Sequence, residues 1–232
     1  MATHRETLEE GCFGITFERK YYERSGTFIK RCLRPKEFRT GYHGLYVPRL
    51  RNERLKNEAA SLRYVKEHTD IPVPVVYCDF EDDEAYYLIT EYIPGINMAD
   101  LEDEQKETVK AEVQRHLRTL RTLKSSRLGG PNGIVIPPYR VHDLTKQDVW
   151  TLRESDTEEY VFCHNDLSQH NILVDPATLK ITGIIDWEYA GFWPQSFERH
   201  FFERKGPSAA LDGESDDSQE LLDFLKSQEQ VR

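Results

Sequence analysis

The sequence lacks the features of a membrane or secreted protein. No apolar run approaches the length of a transmembrane helix, and the amino-terminal stretch MATHRETLEEG contains no apolar core of a signal peptide. The four cysteines are scattered, and none has the spacing of a metal site or of a C-x-x-C redox motif (Cys12, Cys32, Cys78 and Cys163). We therefore expect reduced thiols in a cytoplasmic protein that does not bind a membrane.

The chain also lacks an excess of positive charge and any internal repeat. It has 31 Lys and Arg against 41 Asp and Glu, and the formal net charge of −10 argues against nucleic acid as a partner. An acidic surface suits a cationic substrate, although many acidic proteins bind none. With 232 residues and 38% hydrophobic content, the sequence is long enough for one large domain or two small lobes around a shared core.

Two polar clusters within residues 164–188 (HNDLSQHNILVDPATLKITGIIDWE) carry the clearest functional signal. The first, H-N-D, ends in Asp166 and is followed by Asn171, and the second is Asp186, which ends the apolar run ITGII. A shorter apolar run, ILV, lies between them and ends at the turn signal D-P. This pattern predicts two short paired strands that hold Asp166, Asn171 and Asp186 at one end.

These three polar side chains suit phosphoryl transfer. That reaction needs a carboxylate that accepts the proton of the attacking hydroxyl, and hard oxygen ligands for the Mg²⁺ that bridges the nucleotide phosphates. Asp166 is the candidate base, and Asn171 and Asp186 are the candidate metal ligands. Either cluster alone is common in turns, but their order and separation together favour the functional interpretation. We interpret His164 as a structural residue that holds the loop.

The spacing H-x-D-x-x-x-x-N, followed 15 residues later by a strand that ends in Asp, resembles the catalytic loop and metal-binding acid of the kinase superfamily. The sequences H-N-D and D-W-E, where protein kinases have H-R-D and D-F-G, resemble aminoglycoside phosphotransferases and choline-kinase-like small-molecule kinases, and most closely the fungal phosphotransferase-family proteins. The resemblance implies an α+β, two-lobed protein-kinase-like fold, with an N-terminal antiparallel sheet plus helix and a mainly helical C-terminal lobe. It also implies ATP (with GTP as the alternative), Mg²⁺ and a small-molecule hydroxyl acceptor.

The same resemblance implies a phosphate-pairing lysine in a strand and a glutamate in the following helix. Lys30 lies in the strand-like run TFIKR, with Arg31 and Lys36 as alternatives. The next run has apolar residues at steps of three and four, as in an amphipathic helix, and Glu58 lies on its apolar flank. On position alone Glu58 would be an exposed helical residue, but the sequence N-E-A-A favours it over Glu53. No G-x-G-x-x-G pattern is present, so we expect the phosphate-covering loop to be short, degenerate or missing.

The segment YYLITEY, which ends at P-G, resembles the hinge between kinase lobes. By position in the family, the backbone carbonyl of Glu91 and the amide of Ile93 would bind adenine, although an ordinary hairpin explains the same residues. We therefore expect a nucleotide-binding lobe over residues 1–92 and a catalytic lobe over residues 93–232. Within the second lobe, the polar and acidic residues 206–217 predict a flexible linker.

The missing glycine pattern and the short region after D-W-E leave the activity and the acceptor open. Only about 40 residues follow D-W-E, where aminoglycoside phosphotransferases usually have a larger helical region that builds the acceptor pocket. One rival is a pseudokinase that binds nucleotide or a protein partner without turnover, but the intact set of Asp166, Asn171 and Asp186 disfavours it. A protein kinase is disfavoured because no A-P-E-like segment follows. Residues 125–160 are a candidate segment for binding the acceptor, but we favour their interpretation as a solvated loop.

Overall fold

The computed structural model describes residues 9–142 and 144–230. The strands within these residues are β1 (Cys12–Ile15), β2 (Arg19–Arg24), β3 (Thr27–Cys32), β4 (Thr40–Gly41), β5 (Gly44–Leu45), β6 (Val76–Asp82), β7 (Ala85–Glu91), β8 (Ile96–Asn97), β9 (Lys124–Ser125), β10 (Tyr160–Cys163), β11 (Ile172–Val174), β12 (Ile181–Ile184) and β13 (Gly191–Trp193). The α-helices are α1 (Arg51–His68), α2 (Asp103–Leu120), α3 (Tyr139–His142) and α4 (Ser218–Ser227). None of these helices is both long and apolar enough to cross a bilayer.

Five strands form an antiparallel sheet in the order β1-β2-β3-β7-β6. Alternate residues of a strand face opposite sides of a sheet, so Phe28 and Lys30 of β3 lie on the same face. In register, Lys30 stands between Tyr21 of β2 and Leu88 of β7. These four side chains therefore share one face of the sheet, and the strand register places a single lysine among apolar and aromatic neighbours.

Helix α1 attaches this sheet to the rest of the chain. It confirms the helix predicted from the apolar periodicity, and it ends at His68, before Pro72 and Pro74, which cannot continue a helix. Its first half joins the sheet in a small apolar cluster, where Leu55 and Ala59 pack with Cys32, Tyr86 and Leu88. Its second half joins the large core formed by the remaining elements. Residues near the middle of α1 consequently lie between the sheet and the predicted catalytic loop.

The hairpin predicted in the motif region is present. Strands β11 and β12 pair antiparallel, with Ile172 opposite Ile184, and β8 adds a third strand that the sequence did not predict. Strand β10 pairs with β9 and β13 in a second three-stranded sheet. The loop between β10 and β11 contains the H-N-D sequence, so both ends of this loop are fixed by sheet hydrogen bonds.

The expectation of a mainly helical C-terminal lobe is wrong. In the described residues after α2, α-helix occurs only in α3 and α4, and the rest consists of short strands, 3₁₀ turns and irregular backbone. The glycines and prolines of residues 129–138 (GGPNGIVIPP) are one cause, because they interrupt any long element.

Residues 206–217, the predicted linker, contact the elements around them. Arg140 donates hydrogen bonds to both carboxylate oxygens of Asp217 at 2.8 and 2.9 Å. Within the segment, Ser208 is only 1% exposed. Helix α4 follows directly and buries Leu221, Leu222 and Leu225. The segment therefore lies against the C-terminal elements at both its start and its end.

Candidate active site

A cavity of about 380 Å³ lies between the five-stranded sheet and the β11–β12 hairpin. Its walls include five residues that the sequence nominated: Lys30, Glu58, Glu91, Ile93 and Asp186. This volume is within the range of small-molecule sites. The candidate acceptor segment, residues 125–160, lines a separate cavity of about 380 Å³ that contains none of the nominated site residues.

Lys30 joins three parts of the chain. Its Nζ lies 2.7 Å from Oε1 of Glu58 on α1 and 2.6 Å from Oδ1 of Asp186 after β12. Burial opposes the charge on Lys30, but the carboxylates of Asp186 and Glu58 outweigh it and hold its pKa above the ordinary value. The alternatives lie elsewhere, since Arg31 binds Glu37 and Lys36 is an exposed residue near Asp83. The structure thus brings Lys30 and Glu58 together and leaves Arg31 and Lys36 outside the cavity.

Asn171 immediately precedes β11, and Asp186 lies two residues after the end of β12. Asp186 has a left-handed backbone with a φ of 68°, which re-aims the chain directly after the strand. The adjacent Ile185 donates its backbone N–H to the carbonyl of Asn171 at 3.0 Å. The side-chain nitrogen of Asn171 donates to the Asp166 carbonyl at 2.7 Å, so its amide oxygen is the atom left for another ligand. These backbone contacts hold the three polar residues of the motif together.

His164 is fully buried within the loop that it opens. Its Nδ1 accepts the Asp166 backbone N–H at 3.2 Å, and its Nε2 lies 3.0 Å from the carbonyl of Ile185, to which it donates. Burial lowers the pKa of His164 to about 4, so its ring is neutral and fits this donor–acceptor pattern. The ring also packs on Trp187, with 4.5 Å between centroids. His164 therefore ties the loop to the exit of β12.

Asp166 is held in an environment that disfavours its charge. Burial and the nearby Asp186 carboxylate raise the pKa of Asp166 to about 8, and hydrogen bonds from Ser208 and Asn171 only partly offset this rise. A carboxyl group with a pKa near neutrality is suited to act as a general base. The sequence nominated Asp166 for this position, but it gave no sign of Ser208, which lies 42 residues later in the chain.

Glu198 is a buried residue of the site that sequence reasoning missed. Its carboxylate accepts the backbone N–H groups of His164 and Asn165, the latter at 3.3 Å, and so it supports the start of the loop. Burial raises the pKa of Glu198 to about 7 despite these hydrogen bonds. A glutamate in the run QSFERHFFER gives no local signal of burial, because its partners are more than 30 residues away.

The raised pKa values of Asp166 and Glu198 predict a specific pH dependence of stability. Both carboxyls hold a proton in the folded protein at pH values where they are ionised in the unfolded chain. We therefore expect the free energy of unfolding to fall as pH rises from about 6.5, with both groups contributing up to about pH 7 and Asp166 alone up to about pH 8, at a limiting slope of about 1.4 kcal/mol per pH unit per group. Below about pH 6.5 His164 has the opposite effect. It is neutral in the folded protein and protonated in the unfolded chain, so its contribution makes the free energy of unfolding rise with pH.

The measurement is urea unfolding at several pH values in this window. Asp166→Asn replaces the titrating carboxyl with a neutral amide, so the free energy of unfolding should fall less steeply with pH. Replacement of the exposed Asp70 by Asn should leave this slope unchanged. A free energy of unfolding that stays constant or rises with pH across the window would contradict the assigned protonation states.

A second group that sequence reasoning missed surrounds Glu188, the last residue of D-W-E. The Glu188 carboxylate pairs with Arg54 of α1 at 2.9 Å and with Arg19 at the start of β2, and all three side chains are buried. Asn57 of α1 donates to the carbonyls of Glu188 and Ala190 at 3.0 and 2.8 Å. These contacts connect the sheet and α1 to the chain that follows Asp186. In the sequence, only the D-W-E motif pointed to Glu188, and the motif did not indicate what this glutamate does.

The connection between β1 and β2 is short, as expected from the missing glycine pattern. It consists of Thr16, Phe17 and Glu18, and the Thr16 hydroxyl accepts the backbone N–H groups of Glu18 and Arg19 at 3.2 and 3.0 Å. The aromatic residues Phe13 and Tyr21 of these strands line the cavity. The strand alternation of the sequence was the only signal for this aromatic wall.

The comparisons with known proteins agree with this architecture. A family model described as choline/ethanolamine kinase matches residues 39–226. An aminoglycoside 3'-phosphotransferase from Streptomyces fradiae is 32% identical over 154 residues, which cover 57% of this chain and 57% of the relative. Probable choline kinase 1 from Arabidopsis thaliana is 39% identical over 75 residues, which cover 30% of this chain and 21% of that protein. The chain thus spans little more than half the length of the first of these relatives and about a fifth of the second.

The fold comparison gives a similar result. The structure of aminoglycoside phosphotransferase APH(3'')-Id from Streptomyces rimosus, in complex with ADP and streptomycin, aligns with a TM-score of 0.55 at 17% identity. The alignment covers 96% of this chain and 86% of that one. At this identity the likeness concerns the fold alone, and it confirms the expected kinase-like arrangement of mixed α and β elements.

Proposed function

Because the chain belongs to the choline/ethanolamine kinase family, we propose that it transfers the γ-phosphoryl group of a nucleoside triphosphate to a hydroxyl group of a small molecule. The observation that carries this proposal is the position of Lys30, which joins Glu58 and Asp186 on the wall of the cavity. A lysine–glutamate pair next to a metal-binding acid is part of the apparatus for phosphoryl transfer in this fold. The charge of Asp186 also raises the pKa of Asp166, the candidate base.

The nucleotide is proposed to bind in the cavity, with ATP as the donor and GTP as the alternative. Lys30 would bind its phosphates, and Glu58 would orient the lysine. The Glu91 carbonyl and the Ile93 amide would hydrogen-bond the base, and the apolar and aromatic cavity wall would cover its faces. The division into a nucleotide-binding lobe (residues 1–92) and a catalytic lobe (residues 93–232) follows from this placement.

The donor atoms at the site fit Mg²⁺. The Asp186 carboxylate and the Asn171 amide oxygen are hard ligands, and Mg²⁺ is usually held by one or two protein groups together with substrate phosphates. Within residues 9–142 and 144–230, no group of three or more His, Cys, Asp or Glu side chains is placed to hold a metal ion. When bound, Mg²⁺ would supply neutralisation of the phosphate charge. Asp186 would then exchange part of its contact with Lys30 for the metal.

Asp166 is proposed to act on the acceptor. Its carboxylate would accept a hydrogen bond from the acceptor hydroxyl, orient the oxygen toward the γ-phosphorus and take the proton as the new oxygen–phosphorus bond forms. Neutral His164 and buried Glu198 would hold the loop while this happens. The acceptor is a small molecule with a free hydroxyl, and the acidic character of the chain suits a cationic one.

Thermal unfolding with ATP or GTP, with and without Mg²⁺, tests the nucleotide site. At a nucleotide concentration of about one hundred times Kd, binding adds about 2.7 kcal/mol, which raises the midpoint by roughly 5–10 °C for a chain of this size. We expect this rise to require Mg²⁺ and to be lost in Asp186→Ala.

Replacement of the exposed Asp70 by Asn provides the matched control and should keep the full rise. If neither nucleotide raises the midpoint of the wild-type protein at millimolar concentration, the proposal fails. If nucleotide binds but no acceptor screen detects phosphate transfer or nucleotide hydrolysis, the alternative of a nucleotide-binding protein without turnover replaces it.

A further inference from the structure

Backbone amides in the turn between β1 and β2 are already used within the turn. Kinases usually cover the nucleotide phosphates with a glycine-rich loop. Here the Thr16 hydroxyl accepts the backbone N–H groups of Glu18 and Arg19, and the Thr16 N–H donates to the Arg19 carbonyl at 2.8 Å. These three amides are therefore not available to a ligand. Other donors on the cavity wall have to contact the phosphates of a nucleotide.

Tyr21 supplies a hydroxyl group on this wall. It lies directly opposite Lys30 in the β2–β3 pair, so the two side chains are neighbours on one face of the sheet. Both residues line the cavity. The Tyr21 ring packs against Phe13 and Phe28, with 6.4 and 6.1 Å between ring centroids. Its hydroxyl makes no hydrogen bond within residues 9–142 and 144–230, and it is not sealed in the interior.

The strand register places Tyr21 at the phosphate end of the cavity. Glu91, the hinge residue, pairs with Thr27, which lies three residues before Lys30 in β3. Three residues of a strand span about 10 Å. Lys30 contacts Asp186 at 2.6 Å, at the end of the cavity away from the hinge. A nucleotide whose base lies at the hinge would therefore place its phosphates beside Lys30 and Tyr21.

The other two hydroxyl groups on the described cavity wall are placed differently. The Thr90 hydroxyl donates to backbone carbonyls of the sheet. Tyr92 follows the hinge strand, and its backbone N–H donates to the carbonyl of Gly26 at 3.0 Å. Gly26 precedes Lys30 by four residues, which corresponds to about 13 Å along a strand. In the register of the sheet, Tyr21 is therefore the wall hydroxyl nearest to Lys30.

The Tyr21 phenol is protonated at neutral pH. Burial raises the pKa of Tyr21 above its ordinary value, and the positive charges of Arg19 and Lys30 only partly oppose this rise. A protonated phenol can donate its O–H, and the charged oxygens of a phosphate are strong acceptors. The chemistry of this hydroxyl therefore matches that of a phosphate ligand.

We propose that the Tyr21 hydroxyl donates a hydrogen bond to the phosphate chain of the bound nucleotide, in place of amides from a glycine-rich loop. The proposal rests on the proposed phosphotransferase function and adds a second phosphate contact to that of Lys30. Lys30 shares its charge between Glu58 and Asp186. A neutral donor beside it adds a phosphate contact that does not depend on releasing either carboxylate.

Isothermal titration calorimetry of the full chain with Mg²⁺ tests this contact, using ATP, GTP and the corresponding nucleosides. Tyr21→Phe keeps the ring that packs on Phe13 and Phe28 and removes only the hydroxyl. A hydrogen bond to a charged group is among the stronger ones, so Tyr21→Phe should weaken binding of the triphosphate by roughly 10-fold to 100-fold. Binding of the nucleoside, which carries no phosphate, should not change.

Tyr22→Phe is the matched control. Tyr22 lies on the opposite face of β2, where its hydroxyl donates to Glu9 at 2.5 Å, and this variant should bind the triphosphate as the wild-type protein does. The midpoint of thermal unfolding without nucleotide should be the same for Tyr21→Phe and the wild type, because the lost hydroxyl has no described partner in the protein.

Wild-type affinity of Tyr21→Phe for the triphosphate would overturn this inference and leave the proposed function intact. An equal loss of affinity for the nucleoside and the triphosphate would also overturn it, because the contact would then lie on the nucleoside. Failure of the wild-type protein to bind either nucleotide would overturn both proposals.

Discussion

Asp166→Asn is expected to lower the rate of phosphoryl transfer by roughly 10²–10⁴-fold, the usual contribution of a positioned general base. Asparagine has nearly the same shape but cannot accept the proton of the acceptor hydroxyl. Nucleotide binding should be retained, because Lys30, Glu58 and Asp186 are unchanged and none of them bonds to the Asp166 side chain in the described contacts. The loss should therefore affect kcat rather than the KM for nucleotide.

The stability of this variant provides an independent readout. Because burial and Asp186 raise the pKa of Asp166 to about 8, the residue is largely neutral at pH 7 in the free protein, and Mg²⁺ bound at Asp186 would lower that pKa and make the ionised base available for transfer. A neutral amide should then be tolerated, and the midpoint of thermal unfolding at pH 7 should not fall. Transfer is measured by phosphate incorporation into an acceptor, with Asp70→Asn as the matched variant at an exposed site. Turnover at the wild-type rate by Asp166→Asn would remove Asp166 from the role of base.

Glu188→Gln is expected to destabilise the protein more than any other single change considered. The variant leaves Arg19 without its carboxylate partner and Arg54 with only Glu18, at 2.7 Å, and the two arginines are only 3% and 4% exposed. Breaking a buried ion pair from one side costs about 3–5 kcal/mol. The two arginines outweigh burial and hold the pKa of Glu188 well below its ordinary range, so the negative charge is present at all physiological pH values.

Chemical denaturation and thermal unfolding measure this effect, which should lower the midpoint by roughly 6–20 °C for a chain of this size. The exposed pair of Arg24 and Glu10 (3.3 Å) offers a matched control, since Glu10→Gln there should change the free energy of unfolding by no more than about 1 kcal/mol. Combining Glu188→Gln with Arg19→Met removes one uncompensated cation and should recover part of the loss. A loss below about 1 kcal/mol for Glu188→Gln would contradict the structural role of the buried pair.

Elements with strong local patterns could be predicted from the sequence. The β11–β12 hairpin depends on two apolar runs and a turn signal within 13 residues, and α1 depends on apolar spacing and a proline stop. The sequence also nominated Lys30, Glu58 and Asp186, which the structure brings into one cluster across 156 residues. That cluster was predicted from the family resemblance, because no local pattern relates a strand lysine to a distant acid.

The contacts that could not be predicted share a physical cause. Glu188, Glu198, Arg19 and Arg54 are charged residues, and charged residues in a sequence normally indicate solvent exposure. Here they are buried because partners of opposite charge or backbone N–H groups satisfy them, and these partners lie 33 to 169 residues away. The expected helical C-terminal lobe failed for a related reason, since its core forms from short, irregular segments that have no periodic pattern.

The sequence by itself determined the hairpin, helix α1, and the identity and order of the motif residues, because each depends on interactions between near neighbours. Tertiary structure alone decided which charges are buried, how Glu198 supports the loop, and that Lys30 joins Glu58 and Asp186. The physical reason is that the solvation and pKa of a charged group depend on everything that surrounds it. Those surroundings are assembled only when residues distant in the chain pack together.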